Sequence, residues 1–176
     1  SYGNTSTISG GYKNCLTNSA YSTIGGGKYQ TISPSSGSEY NSIISGGANN
    51  SISNYQSLNN TISGGYRNCI YNLGGNCGGA TISGGVCNCT SSCYATISGG
   101  RYNTISNYYN SNGSVISGGC FNYVGSCNSI VVGGFKNTVS NYYANYGIVV
   151  GGACNVNCHY YGIISGGLCN QLNPEV

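Results

Sequence analysis

The sequence predicts an all-β protein: a single-domain parallel β-solenoid, or β-roll, of about ten coils of 15–20 residues over positions 1–176. Three observations carry this. An aliphatic anchor stands two positions before a Gly-Gly pair ten times, a β-branched residue precedes every anchor, and asparagine follows six positions after nine of the ten. A short fixed period marks a repeat architecture in which each unit packs only on its neighbours.

The anchors are Ile8, Ile24, Ile44, Ile62, Ile82, Ile97, Ile116, Val131, Val149 and Ile164, spaced 16, 20, 18, 20, 15, 19, 15, 18 and 15 residues apart. Numbering each unit from its anchor as zero, the extra residues always fall at one corner, after offset +8. A period near 15 is too short for two helices, and the β-branched residues and glycines oppose helix formation. Each unit instead offers two short strands. One surrounds the anchor, and the other surrounds offset +8, which is Ile, Val or Leu in eight units. The Gly-Gly pair opens the turn between them, because glycine tolerates positive φ and close backbone approach. Strands stacked at ~4.8 Å give a body on the order of 48 Å long. Asn14, Asn50, Asn68, Asn88, Asn103, Asn122, Asn137, Asn155 and Asn170 then form an asparagine ladder, with each side-chain amide bonding to the next. Gln30 takes that place in the second unit.

Composition limits function. Charged residues are 4% of the chain, there is no Asp, the only acids are Glu39 and Glu175, and His159 is the single histidine. Paired-carboxylate hydrolysis, a Ser-His-Asp relay and an acidic Ca²⁺ or Mg²⁺ site all need groups missing here. Neither an enzyme nor a cofactor or metal is expected. Five cations are too few for a nucleic-acid surface, so no nucleic-acid partner is expected. No apolar run approaches the ~18 residues of a membrane helix.

Two surface features stand out. All five cations lie at offsets +4 or +5, interleaved with aromatics: Tyr12, Lys13, Lys28, Tyr29, Tyr66, Arg67, Arg101, Tyr102, Phe121, Phe135 and Lys136. One edge should therefore carry a contact stripe, since aromatics and arginine favour interfaces. Offsets −1 and +1 share one side of a strand. Early units put Thr and Ser there, whereas later ones put Val115, Ile130, Val132, Ile148, Val150 and Ile163, an apolar strip suited to an interface.

Eleven cysteines favour an oxidising location. Residues stacked ~4.8 Å apart are within disulfide reach. Cys69 with Cys89, Cys154 with Cys169, and Cys77 with Cys93 are the expected pairs. The odd total leaves a thiol over, and Cys15 and Cys158 are candidates for bridging between subunits.

The segments Thr7-Ile8-Ser9-Gly10-Gly11-Tyr12-Lys13-Asn14, Tyr21-Ser22-Thr23-Ile24-Gly25-Gly26-Gly27 and Thr61-Ile62-Ser63-Gly64-Gly65-Tyr66-Arg67-Asn68 resemble head repeats of trimeric autotransporter adhesins. They are also similar to repeats in fibre proteins of phages and large viruses. The resemblance covers essentially the whole chain and implies a β-solenoid in a surface fibre.

The expected function is mechanical: a structural subunit of a self-assembling extracellular or virion-surface filament. Its expected partner is itself, by head-to-tail stacking or as a trimer, because neither end reads as a polar cap. The alternative is an adhesin or tail-fibre head whose aromatic and basic edge contacts a glycan or a host cell surface.

Overall fold

Among the described residues two-residue strands alternate with corners, and the strands stack into two parallel sheets of ten. The computed structural model describes residues 5–33, 41–53, 59–71, 79–106, 113–140 and 145–173. The first sheet holds the anchors, as Thr7–Ile8, Thr23–Ile24, Ile43–Ile44, Thr61–Ile62, Thr81–Ile82, Thr96–Ile97, Val115–Ile116, Ile130–Val131, Ile148–Val149 and Ile163–Ile164. The second holds offset +8, as Cys15–Leu16, Thr31–Ile32, Ser51–Ile52, Cys69–Ile70, Cys89–Thr90, Thr104–Ile105, Tyr123–Val124, Thr138–Val139, Val156–Asn157 and Gln171–Leu172. Every strand pairs with the equivalent strand one rung away and never with its sequence neighbour. The register is that of the repeat, anchor on anchor: Ile8 opposes Ile24, and Val149 opposes Ile164.

Alternation within each strand sets inside from outside. The anchors and the offset +8 aliphatics turn inward and form one continuous core, from Ile24 and Ile32 to Val139, Val149 and Ile164. Each buried Ile contributes about 1.5–3 kcal/mol. Ten equivalent coils, however, overcount the closed turns. The eight anchors from Ile24 to Val149 are wholly buried, whereas Ile8 on the first rung is 44% exposed and Ile164 on the last is slightly so. A terminal rung has a neighbour on one side only, so its side chains are covered from one side.

The interior is not purely apolar. Thr90 and Asn157 replace aliphatics at offset +8, and both are buried. Asn157 is satisfied by the corner that leads to the next rung: Nδ2 donates to Gly162 O at 2.6 Å, and Oδ1 accepts from His159 N at 3.1 Å. A second polar column runs at offset −2. There Asn60 Oδ1 accepts from Ala80 N at 3.1 Å, Ser114 Oγ from Ser129 N at 3.3 Å, and Ser129 Oγ from Gly147 N at 3.1 Å.

The second glycine of each pair is a true requirement. Gly100 has φ of 84°, and a Cβ there would collide with the carbonyl oxygen of Gly119 on the next rung. The first glycine is different, since a Cβ on Gly99 would meet open space. Gly100→Ala should therefore destabilise by about 2 kcal/mol or more, whereas Gly99→Ala should leave the melting temperature within about 2 °C of the parent. Thermal melts of the two variants, followed by circular dichroism, check this.

Candidate functional site

The corner following the glycine pair is where the chain concentrates its polar and aromatic chemistry. Offset +4 forms a third stacked column, linked by parallel bridges from Tyr12 and Lys28 through Ala48, Tyr66, Val86, Arg101, Cys120, Phe135 and Ala153 to Leu168. Offset +5 then reverses the chain. All ten residues there, from Lys13 to Cys169, adopt left-handed backbone with φ between 52° and 58°, although none is glycine. That conformation is uncommon for bulky side chains and costs roughly 1–2 kcal/mol per residue. It is held by the backbone: the offset +5 N–H donates to the offset +4 carbonyl of the preceding rung, as Tyr102 N does to Val86 O at 2.9 Å.

Behind this turn lies the asparagine column, with all nine predicted members in file. From Asn14 to Asn155 each Asn Oδ1 accepts from the offset +6 N–H of the next rung at 2.9–3.0 Å. Each Nδ2 donates to the first glycine carbonyl of its own rung at 2.8–3.0 Å. From Asn14 to Asn155 it also reaches the second glycine carbonyl of the next rung at 3.0–3.2 Å. The expected amide-to-amide pattern holds only between Asn155 and Asn137 and between Asn170 and Asn155. Elsewhere the amide serves backbone groups, because the close glycine turn brings the glycine carbonyls within its reach. Gln30, one methylene longer, still accepts from Asn50 N at 2.9 Å and sends its amide up to Gly46 O.

In front of the turn, the predicted stripe is present and exposed. Tyr102 and Phe121 stack at 4.8 Å, Phe121 meets Phe135 edge-on at 6.1 Å, and Tyr12 meets Tyr29 edge-on at 5.6 Å. Every cation sits over a ring: Lys13 and Lys28 over Tyr12 and Tyr29, Arg67 over Tyr66, Arg101 over Tyr102, and Lys136 over Phe135, at 5.1–5.9 Å. Cys120 stands beside Arg101 on the next rung and holds its guanidinium above the ordinary range.

The other candidates separate. Val115, Ile130 and Ile148 are half-buried on the outer face of the first sheet, whereas Val132, Val150 and Ile163 are exposed, so the apolar strip faces outward. Cys69 and Cys89 are joined by a disulfide across paired strands, with Cα atoms 4.7 Å apart. The Cys154–Cys169 bridge is not formed, and both thiols are free. These two stand one rung apart at the left-handed offset +5, whereas Cys69 and Cys89 stand on paired strands. Cys77, and with it the Cys77–Cys93 pairing, lies outside the described residues. Cys15 is exposed, its Sγ 3.3 Å from Thr17 Oγ1, whereas Cys158 is half-buried and donates its N–H to Leu172 O. Nothing in the sequence singled out Tyr146, Tyr160 and Tyr161 as a cluster, because its members come from two different variable corners.

Among the described residues no group of three His, Cys, Asp or Glu could hold a metal ion, and no helix is long and apolar enough to cross a membrane. No protein-family model and no curated protein matches the chain.

Asn103→Ala should cost about 2–4 kcal/mol, since it strands the buried N–H of Asn122 and removes the side-chain bonds to the Gly99 and Gly119 carbonyls, the second of which keeps its bond from Arg101 N. Urea denaturation measures this. The Cys69→Ser/Cys89→Ser double variant should lose about 3 kcal/mol in the same assay, with an unchanged β-sheet spectrum because Asn68 and Asn88 still set the register.

Proposed function

We propose that this chain is a structural subunit of a self-assembling extracellular or virion-surface filament. The observation that carries this reading is the unbroken ladder of asparagines and Gln30 running beside two ten-stranded parallel sheets. Such a body is translationally repetitive: each rung offers the next the same strand edges, the same Asn carbonyl and the same glycine corner. One copy's last rung stacked on another's first would continue both sheets in register. The rungs concerned expose apolar surface, with Ile8 at one end and Leu168 at the other. A head-to-tail contact of this kind is heterologous and generates an open filament.

The disulfide between Cys69 and Cys89 fits an oxidising setting. So does the likeness of the repeats to adhesin heads and to phage and large-virus fibre proteins. Lateral association, including a trimer, would use the outward Val132, Val150 and Ile163, whereas Cys15 on the exposed face of the first rung is placed to link copies covalently.

A second reading is favoured by the stacked rings of Tyr102, Phe121 and Phe135. They form an exposed aromatic ledge of the sort that contacts sugar faces, which suits a fibre head binding a glycan or a host surface.

Negative-stain microscopy of the purified chain tests the leading reading. Rods whose length grows with protein concentration are expected, and Leu168→Glu should shorten them to single-chain particles. Particles of one-chain length at every concentration would overturn it.

A further inference from the structure

The glycan-contact reading leaves the ligand's chemistry open, and the spacing of charge along the edge narrows it. The cations occupy the first, second, fourth, sixth and eighth rungs. From Lys28 through Arg67 and Arg101 to Lys136 they therefore recur every second rung, a repeat of ~9.6 Å at the usual strand spacing. All are exposed, and the chain's only acids, Glu39 and Glu175, lie outside the described residues, so no described carboxylate neutralises them. The ring beneath each cation fixes its position without cancelling its charge. Between Arg101 and Lys136 the rings of Tyr102, Phe121 and Phe135 form a ledge on three successive rungs. This display is maintained against backbone preference. Tyr102, Phe121 and Lys136 hold φ of 56°, 58° and 53°, where Asn49 on the third rung shows that a residue better suited to the left-handed region fits.

We propose that this edge is a track for a linear acidic polysaccharide carrying one anionic group per disaccharide. An extended disaccharide advances by about the same distance as two rungs, so successive carboxylates or sulfates meet successive cations while the intervening sugar faces lie on the rings. The proposal rests on the glycan-contact reading and gives it a ligand class. A single-stranded nucleic acid would use similar side chains, but it carries a charge on every residue, denser than this edge supplies.

The test uses the full chain and four probes: hyaluronan fragments with one carboxylate per disaccharide, a polyuronate with one per sugar, a neutral glucan, and oligothymidylate. Binding is followed by biolayer interferometry at low and at physiological salt. The expected result is tightest binding to hyaluronan, weakening with salt. Arg101→Gln/Lys136→Gln should lower affinity about tenfold or more and flatten the salt dependence. Phe121→Ala should lower affinity with the salt dependence retained. Both variants alter exposed side chains, and unchanged melting temperatures establish that they fold. Equal, salt-independent binding to the neutral glucan would overturn the acidic-ligand assignment while leaving glycan contact standing. Tighter binding to the polyuronate or to oligothymidylate would overturn the two-rung match. Binding to none of the probes would overturn both.

Discussion

The structure depends on one repeated hydrogen bond, from the N–H of each offset +6 residue to the side-chain carbonyl of its counterpart on the preceding rung. A two-residue strand contributes few ladder bonds, and parallel strands slip easily unless something marks the register. The asparagine marks it from the corner. Its carbonyl ties one rung to the next, and its amide gathers two glycine carbonyls, the second of which also accepts an offset +4 N–H. Buried polar groups left unpaired are expensive, so a shifted register would be penalised at every rung at once. The serine and asparagine column at offset −2 repeats the device at another corner.

This polar spine explains how so lightly charged a chain keeps a single fold with a thin core. One or two aliphatics per rung at the anchor and offset +8 are a modest hydrophobic contribution, but they are fully enclosed from Ile24 to Val149. The glycine column allows the backbones of successive corners to approach closely enough for the asparagine to reach across. Tight corners and satisfied amides are thus one arrangement, and neither works without the other.

The same corner generates the outward chemistry. Once the chain has passed the glycines it must reverse, and it does so through a left-handed residue on every rung. The side chains of that residue and of its predecessor stand outside the body, aligned at the strand spacing. A file of rings and cations follows directly, as does its linear geometry: neighbouring groups are one rung apart, and the edge is as long as the solenoid.

The paired glycines, the β-branched residues before each anchor and the asparagines six beyond it made the parallel stack, its register and its core legible from sequence alone, because strict periodicity in a stacked fold converts position in the repeat into position in space. The pairing of Cys69 with Cys89 was legible for the same reason. Other features were decided only in three dimensions. The left-handed turn at offset +5 could not be read from Tyr, Arg, Phe and Cys, none of which favours it; it is imposed by the carbonyl of the rung below. The polar column at offset −2 was hidden by its mixture of Ser, Asn, Ala and Gly. Cys154 and Cys169 share a column as surely as Cys69 and Cys89 do, yet only the strand pair is joined, because sequence periodicity sets how high a residue stands in the stack, whereas the local backbone, a strand at one place and a left-handed turn at the other, is decided only in the folded chain.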